Sequence, residues 1–360
     1  MMDMRRTVIT LLLALGLCSV RAQDPVYSHF WGDRLYLNPA LAGSDRGLNV
    51  SAAARYQWPK ITSEIASYGI SVSAFEPNIG GGWGLSAMQH VEGEGFQKTS
   101  EYSFTYSYRL YGLKKRGDLA FGVRTGYLQR SIDFNKLVFS DQLDPVNGVI
   151  YTTQAELPPS DVINIFNANA GIDGRYFLTK SKRAYLNLGL SLNNITRPRF
   201  SLMYLESRLP IRYTAYGSVV IPGKESGRFP FMVKPMFLVS RQGDVDGSDL
   251  SITMVGFQTS SDHVFGGVLY RSAEVYKLPR RDALFFNFGF YWRGRSSVNS
   301  FSYGYEYNVS RLAINTGGSH EITYNMDLEG FLLFRKLNSM GRKRVKHCPD
   351  FKAVGGLKAL

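Results

Sequence analysis

Alternation of apolar and polar side chains with a period of two is the feature of this sequence that most constrains its fold. Residues 102–110, YSFTYSYRL, place tyrosine, phenylalanine or leucine at every second position, with serine, threonine and arginine between them. Residues 48–58, LNVSAAARYQW, alternate in the same way. Successive side chains of a β-strand point to opposite faces, so the pattern predicts strands with one apolar and one small, polar face.

Fourteen segments carry this strand pattern, and most are 9–14 residues long. Strands of that length suit a tilted crossing of a bilayer and exceed the usual length in soluble sheets. We therefore predict an all-β fold, an outer-membrane antiparallel β-barrel of about 14 strands. A soluble β-sandwich is the alternative. The segments are 47–58, 65–75, 83–91, 99–110, 118–131, 164–178, 184–194, 210–221, 229–240, 249–259, 263–271, 282–292, 299–309 and 319–331.

The composition agrees with an all-β chain that crosses a membrane without helices. The sequence holds 22 Tyr and 23 Phe, together with 36 Gly. This is the mixture of strand formers and turn formers that such a fold requires. After residue 22, no window holds 18 consecutive apolar residues. Strands are therefore the elements that we expect to cross the bilayer.

The first 22 residues have the organisation of a secretory signal peptide. Two arginines precede the short apolar run TVITLLLALGL, and Val20 and Ala22 occupy the −3 and −1 positions of a cleavage site. Lipidation at Cys18 is the alternative, although the leucine before it is large for a lipoprotein signal. Removal of the leader leaves Cys348 as a single thiol, which cannot form an internal disulfide.

The chain is predicted to divide into four parts. Residues 1–22 form the signal peptide, 23–46 an N-terminal periplasmic segment, 47–334 the transmembrane barrel and 335–360 a basic periplasmic tail. An even number of strands places both ends of the barrel on the same, periplasmic side. The longest outer loop, 132–163, is long enough to fold over the mouth of the barrel or into its lumen.

Basic residues concentrate on the predicted inner turns and the tail. The chain carries a net charge of +13, whereas the predicted outer loops hold nearly equal numbers of each sign. We predict a docking face for an acidic periplasmic partner, with ordinary solvation of the barrel rim as the alternative. Export argues against nucleic acid as a partner. The residues proposed for this face are Lys114, Lys115, Arg116, Lys182, Arg183, Arg293, Arg295, Arg342, Lys343, Arg344 and Lys346.

No motif of the sequence indicates catalysis or a cofactor. The five histidines lack a metal-ligand spacing such as HExxH, and neither GxSxG nor a P-loop occurs. Ser-His-Glu at 319–321 does not make a catalytic group, because adjacent residues of a strand point to opposite faces. We therefore predict a protein that is not an enzyme and has no cofactor. Calcium remains an alternative at one acidic loop, although its spacing is not that of an EF-hand; the loop contains Asp244, Asp246 and Asp249.

Short motifs stand in a fixed order along nearly the whole mature chain. They are QDPVYSHF with NPALAGS, RYQWP, LVFSDQL, LSLNN, YGYE, GSHE and the tail motif CPDF. Together they resemble the PorP/SprF family of type IX secretion system membrane proteins. Gly304 and Glu306 depart from the family's Ser and Asp, and about nine residues follow the tail motif. The motif residues that we single out are Asn38, Pro39, Gln57, Trp58, Asp141, Asn194, Tyr305, Glu306, His320, Glu321, Cys348 and Pro349.

The resemblance implies an outer-membrane component of protein secretion in a Gram-negative bacterium. Its expected partners are the lipid bilayer and secretion-system proteins, namely ring lipoproteins, motor components and a peptidoglycan-binding lipoprotein. No catalytic residue is carried over from the family. A barrel of this size has a modest interior, so we expect it to anchor machinery. The alternatives are an adaptor for the secretion or surface attachment of one adhesin, as in gliding motility, and a transport barrel for small solutes or hydrophobic molecules.

Overall fold

A closed antiparallel β-barrel of fourteen strands dominates the computed structural model of this chain. The structure describes residues 27–44, 47–61, 65–93, 97–111, 116–144, 146–154, 160–179, 183–200, 208–223, 231–243, 250–275, 281–309, 316–328 and 330–331. The predicted fold class is therefore confirmed.

The barrel strands follow one another as neighbours around the ring. β1 also pairs with the last strand, from Leu48 opposite Leu328 to Gln57 opposite Ser319. This pairing leaves no free edge, as a barrel in hydrocarbon requires. The strands are β1 (Leu48–Gln57), β2 (Ile65–Glu76), β3 (Gly81–Glu92), β4 (Gln97–Tyr111), β5 (Gly117–Ile132), β8 (Val162–Phe177), β9 (Tyr185–Asn193), β10 (Arg212–Pro222), β11 (Met232–Gln242), β12 (Leu250–Ser260), β13 (Val264–Val275), β14 (Arg281–Arg293), β15 (Ser297–Asn308) and β16 (Ser319–Leu328). Two short strands, β6 (Leu143–Asp144) and β7 (Gly148–Val149), form a separate hairpin within the β5–β8 connection.

Each predicted strand segment overlaps one strand of the barrel. The largest difference lies at the end of β13, which we predict at residue 271 and which ends at Val275. Alternation locates the strands this well because one face of every strand lies outside the barrel and the other lies inside. In β4, for example, Tyr102 is 58% exposed on the outer surface, whereas Thr105 is completely buried in the lumen.

The inner face of the barrel is not polar all the way round, which differs from the expectation. Along β10 to β14 the inner face is apolar, and it packs against Leu37 and Leu41 of the segment before β1, with Phe30 and Trp31 beside them. Alternation misses this feature because it is weaker in strands that are apolar on both faces. The apolar inner residues are Tyr216, Met236, Leu238, Leu250, Ile252, Met254, Leu269, Ala273 and Phe285.

The segment before β1 lies inside the barrel. The sequence predicts a periplasmic segment at 23–46, whereas residues 27–44 are enclosed by the strands. The side chain of Asn38 donates hydrogen bonds to the carbonyl oxygens of Ile172 (3.0 Å) and Leu190 (3.2 Å) in the barrel wall. We call residues 27–44 the luminal plug. Its apolar side chains pack against the apolar inner face of β10 to β14. Its polar groups form hydrogen bonds with polar groups of the barrel wall.

Candidate functional site

The luminal plug is organised by two side-chain caps. Asp33 begins the short helix α1 (Arg34–Leu37), and its carboxylate accepts the N–H of Tyr36 at 3.2 Å. Asn38 ends that helix and begins a 3₁₀ turn over Pro39–Leu41, where its side chain accepts the N–H of Ala40 at 2.9 Å. Proline suits the first position of such a turn because its missing N–H would have no partner there. The caps therefore give the plug a defined shape despite its short elements.

Two buried glutamates hold the start of the plug. The carboxylate of Glu321 accepts the backbone N–H groups of Ser28 (2.7 Å) and His29 (2.8 Å). The hydroxyl of Ser28 donates to the second carboxylate, that of Glu306. Hydrogen bonds to an ionised acceptor are the strong ones, especially away from bulk water. Two family-motif residues, on neighbouring strands β15 and β16, therefore bind the plug directly.

Arginines neutralise these two carboxylates inside the lumen. Arg55 of β1 contacts Glu321 and lies 3.4 Å from Glu306, and Arg271 of β13 forms an ion pair with Glu306. The side chains of Arg55, Glu306 and Glu321 are at most 4% exposed. A buried charge without a partner is costly, so each member requires the others. We call these four residues the charge cluster.

The middle of the plug is held by Asn38. Besides its two backbone acceptors, its amide donates to the hydroxyl of Tyr216 at 3.1 Å, and that hydroxyl donates to Asp173 at 2.8 Å. Glycines in the facing strands allow the close approach. A Cβ at Gly122 would lie 2.2 Å from the backbone nitrogen of Ala40, and one at Gly171 would lie 1.9 Å from the side-chain oxygen of Asn38.

Backbone carbonyls of the plug are bound from several directions. β1 and β10 lie on opposite sides of the ring of strands, and both reach the plug, through Ser51 and Tyr216 respectively. The plug therefore spans the lumen from wall to wall. The further donors and their carbonyl acceptors are Ser51 to Gly32 (2.9 Å), Arg124 to Leu35 (3.3 Å), Ser191 to Leu37 (3.0 Å) and Ser107 to Ala42 (2.6 Å).

Described residues of the lumen line two cavities beside the plug. One, of about 60 Å³, lies towards the predicted outer mouth, between Tyr36, Arg124, Phe200 and other residues. The other, of about 250 Å³, lies towards the end where the chain enters β1, and we call it the inner cavity. Arg34 and Lys234 are among the residues that line the inner cavity.

The remaining motif residues that the structure describes shape strand ends and loops. The Gln57 side chain accepts from Arg55 at 3.4 Å. Asn194 has a positive φ of 61° and directly follows β9, where its amide oxygen accepts from Asn167 at 2.7 Å. Trp58, which follows β1, has a φ of 56°. The rings of Tyr305 and His320 have centroids 5.2 Å apart. In the β5–β8 connection, the carboxylate of Asp141 accepts hydrogen bonds from the hydroxyl of Thr153 and from the N–H of Gln154. Cys348 and Pro349 lie outside the described residues.

The structure places the described members of the predicted basic face at one end of the barrel. Arg116 precedes β5 and Arg183 precedes β9, while Arg293 ends β14 and Arg295 lies in the turn before β15. This is the end where the chain enters β1 and leaves β16. Their role in binding a partner stays a prediction. The other members lie outside the described residues, namely Lys114, Lys115, Lys182, Arg342, Lys343, Arg344 and Lys346.

Sequence reasoning selected Glu306 and Glu321 but missed the other half of the charge cluster. Arg55 and Arg271 were not singled out as functional residues. A usable signal exists, because Arg55 stands at a lumen-facing position in a strand of small residues. A charge at such a position must find a partner of opposite sign across the lumen.

The described residues of the β5–β8 connection surround the hairpin β6–β7 at the predicted outer end of the barrel. The carboxylate of Asp144 accepts the N–H groups of Val146 (2.9 Å) and Asn147 (2.8 Å), and these two bonds lower the pKa of Asp144 below its usual value. Apolar side chains on this connection project into solvent, and Val146 is 89% exposed. The other exposed apolar residues here are Val138, Leu143, Val149, Ile150 and Tyr151.

Within the described ranges, no group of three or more His, Cys, Asp or Glu side chains is arranged to hold a metal ion. The acidic loop considered for calcium, at 244–249, falls outside those ranges. The described part of the chain also contains no helix of sufficient length and apolarity to span a membrane.

Solved structures similar to this chain are bacterial outer-membrane proteins with low sequence identity. The toluene transporter TbuX of Ralstonia pickettii is 8% identical, with a TM-score of 0.41 over 82% of this chain and 93% of that one. The CymD monoaromatic hydrocarbon channel is 10% identical, with a TM-score of 0.44 over 84% and 93%. A bacterial polysaccharide outer membrane secretin is 9% identical, with a TM-score of 0.40 over 79% and 99%. None of the curated protein sequences matches this chain.

The family comparison is specific. Residues 19–326 match the family described as type IX secretion system membrane protein PorP/SprF. The matched range contains the whole luminal plug and all of the barrel strands except the last two residues of β16. This chain, an outer-membrane β-barrel, therefore belongs to the PorP/SprF family of type IX secretion system membrane proteins.

Proposed function

We propose that this protein is a non-enzymatic scaffold of the type IX secretion system, which fixes periplasmic ring and motor components at the outer membrane. The observation that carries the proposal is the luminal plug. A lumen filled by the protein's own chain, held by the charge cluster and by Asn38, is poorly suited to conduct cargo or solutes. The barrel then contributes position in the membrane and the surfaces at its two ends.

The end of the barrel at which the chain enters β1 and leaves β16 supplies the proposed docking face. Arg116, Arg183, Arg293 and Arg295 lie at this end, and the basic tail at 335–360 follows β16. Clustered positive charge attracts acidic surfaces and speeds their encounter. An acidic periplasmic ring or motor protein is the partner that this charge distribution favours.

Co-purification from outer membranes in mild detergent tests the proposal. Full-length protein should bring periplasmic lipoproteins and motor components with it. Deletion of 335–360, or replacement of the four described arginines of the docking face by glutamine, should reduce their recovery. The matched control replaces four basic residues at the opposite end by glutamine and should retain the partners; these are Lys60, Lys136, Arg197 and Arg199. Equal recovery with all variants would contradict the proposal.

A cargo-specific adaptor is the second candidate, and the β5–β8 connection favours it. A monomeric soluble surface seldom exposes a group of large apolar side chains, so such a group marks a site of protein contact. Replacement of Val146, Val149 and Ile150 by serine should then impair the export or surface attachment of one adhesin and leave other cargo unaffected. Loss of all cargo, or of none, would contradict the adaptor function.

A further inference from the structure

The inner cavity is a built pocket rather than a gap in the packing. It encloses about 250 Å³ between the luminal plug and the wall formed by β8 to β11. Arg175 lies two residues before the end of β8, and Lys234 lies two residues after the start of β11. The cavity is therefore close to the mouth at which the chain enters β1 and leaves β16.

Positive charges converge on this cavity. Arg34 of the plug, Arg175 and Lys234 all line it, and no acidic residue is among the lining residues that the structure describes. The ammonium of Lys234 interacts electrostatically with both guanidinium groups. In the described part of the chain, Lys234 forms neither a hydrogen bond nor an ion pair. Like charges in a partly dry cavity raise the free energy, and a bound anion would relieve this.

The two described acidic groups that interact with Arg175 are engaged by other partners as well. Asp118 and Asp173 both interact electrostatically with Arg175. Asp118 forms an ion pair with Arg109 at 3.1 Å, and Asp173 accepts hydrogen bonds from Tyr216 and Asn187. These contacts engage both carboxylates, so the ammonium of Lys234 has no carboxylate partner within the described part of the chain.

The rest of the wall combines apolar and aromatic side chains with the polar Ser44, Asn187 and Ser218. The plug contributes Phe30 and Trp31, whose rings meet edge to face with centroids 4.8 Å apart, and β11 contributes Met236. A pocket that joins cations to an apolar wall selects a ligand with both features. Its volume is below that of sites for drug-sized ligands, which begin at about 300 Å³. It is suited to one or two amino-acid side chains.

We propose that the inner cavity binds a short acidic peptide segment, with a carboxylate at Lys234 and a neighbouring apolar side chain against Phe30 and Trp31. This inference rests on the proposed function, because it specifies how a periplasmic protein is recognised. A segment from such a partner would enter the inner mouth and be held by the barrel itself, in addition to any contact with the basic tail.

The purified full-length protein in detergent tests this site without any secretion component. The probes are the peptides acetyl-Phe-Asp-Glu-amide and acetyl-Phe-Asn-Gln-amide, and inorganic phosphate. The acidic peptide should give saturable binding by calorimetry and change the fluorescence of Trp31, whereas the neutral peptide should not bind. Lys234→Gln should weaken the affinity at least tenfold. Lys136→Gln, at an exposed outer position, is the matched control and should bind as the wild type does.

Three results would overturn the inference. They are no saturable binding of the acidic peptide, equal affinity in Lys234→Gln and the wild type, and binding of phosphate with equal strength, which would indicate a site for a small anion only. Trp31→Phe should abolish the fluorescence change and retain the calorimetric signal, which locates the probe. Because no partner protein is present, failure here would leave the co-purification result, and hence the proposed function, unaffected.

Discussion

At the scale of single residues, the charge cluster ties the start of the plug to the barrel wall through ionised carboxylates. Glu321→Gln keeps the size of the side chain but removes the charge opposite Arg55. Removal of one partner from a buried ion pair costs about 3–5 kcal/mol. We expect the free energy of unfolding in urea, measured on protein folded in detergent micelles, to fall by that amount.

The matched control for this substitution is Glu92→Gln. The side chain of Glu92 is 43% exposed and contacts His90 at 2.8 Å. A partly exposed pair of this kind contributes about 1 kcal/mol or less, so the control should unfold close to the wild type. If Glu321→Gln and Glu92→Gln lowered the unfolding midpoint equally, the cluster would not hold the plug as we describe.

A substitution at Gly122 gives a second prediction for a single residue. A methyl group there would lie 2.2 Å from the backbone nitrogen of Ala40, so the plug must shift. At Gly174, in the adjacent strand β8, the nearest atom would be 3.5 Å away, in the side chain of Leu119. We expect Gly122→Ala to destabilise the protein by about 1–3 kcal/mol, as overpacking does. Gly174→Ala should change the stability by less than about 0.5 kcal/mol. A neutral Gly122→Ala would mean that the plug does not approach β5 this closely.

At the scale of elements, the position of the luminal plug can be measured by cysteine labelling. In a Cys348→Ser background, Ser28→Cys places a thiol on a fully buried plug residue, and Ser296→Cys places one in the exposed turn before β15. A charged maleimide should label position 28 at least roughly tenfold more slowly than position 296, because a buried thiol reacts only after local opening of the structure. Both should label equally in urea. Rapid labelling of position 28 in the folded barrel would place the plug outside the lumen.

The strands could be predicted from the sequence, and the contents of the lumen could not. Alternation identifies a strand such as β4 because its outer Tyr102 and inner Thr105 experience different surroundings. The same pattern does not report what the inner face contacts. Polar residues of the inner face can form hydrogen bonds with water, and they can bond equally well to the backbone of a plug. For this reason the segment at 23–46 was placed in the periplasm rather than between the strands.

The charge cluster illustrates the same limit at the candidate site. Glu306 and Glu321 were singled out by their family motifs, yet their partners lie far away in the chain. Ser28 and Glu306 are separated by 278 residues and meet because the barrel closes between β1 and β16. Closure of the barrel sets the strand register that brings these two residues together. The sequence alone does not give that register, so it cannot specify such pairs.

At the scale of the whole molecule, the architecture divides the work between three regions. The outer surface is aromatic and apolar and holds the barrel in the membrane. The plug occupies the lumen, and the described arginines Arg116, Arg183, Arg293 and Arg295 lie at the end where the chain enters β1 and leaves β16. The proposed scaffold uses the first and third regions and requires no passage through the second. The proposed function therefore depends most on the lumen being closed in the folded protein.

Ion conductance across planar lipid bilayers measures that property most directly. Full-length protein, reconstituted beside an open porin as a positive control, should give no steady current, and Gly122→Ala should give intermittent openings as its plug is displaced. A stable open-channel current from the full-length protein would contradict the sealed scaffold and favour a transport barrel.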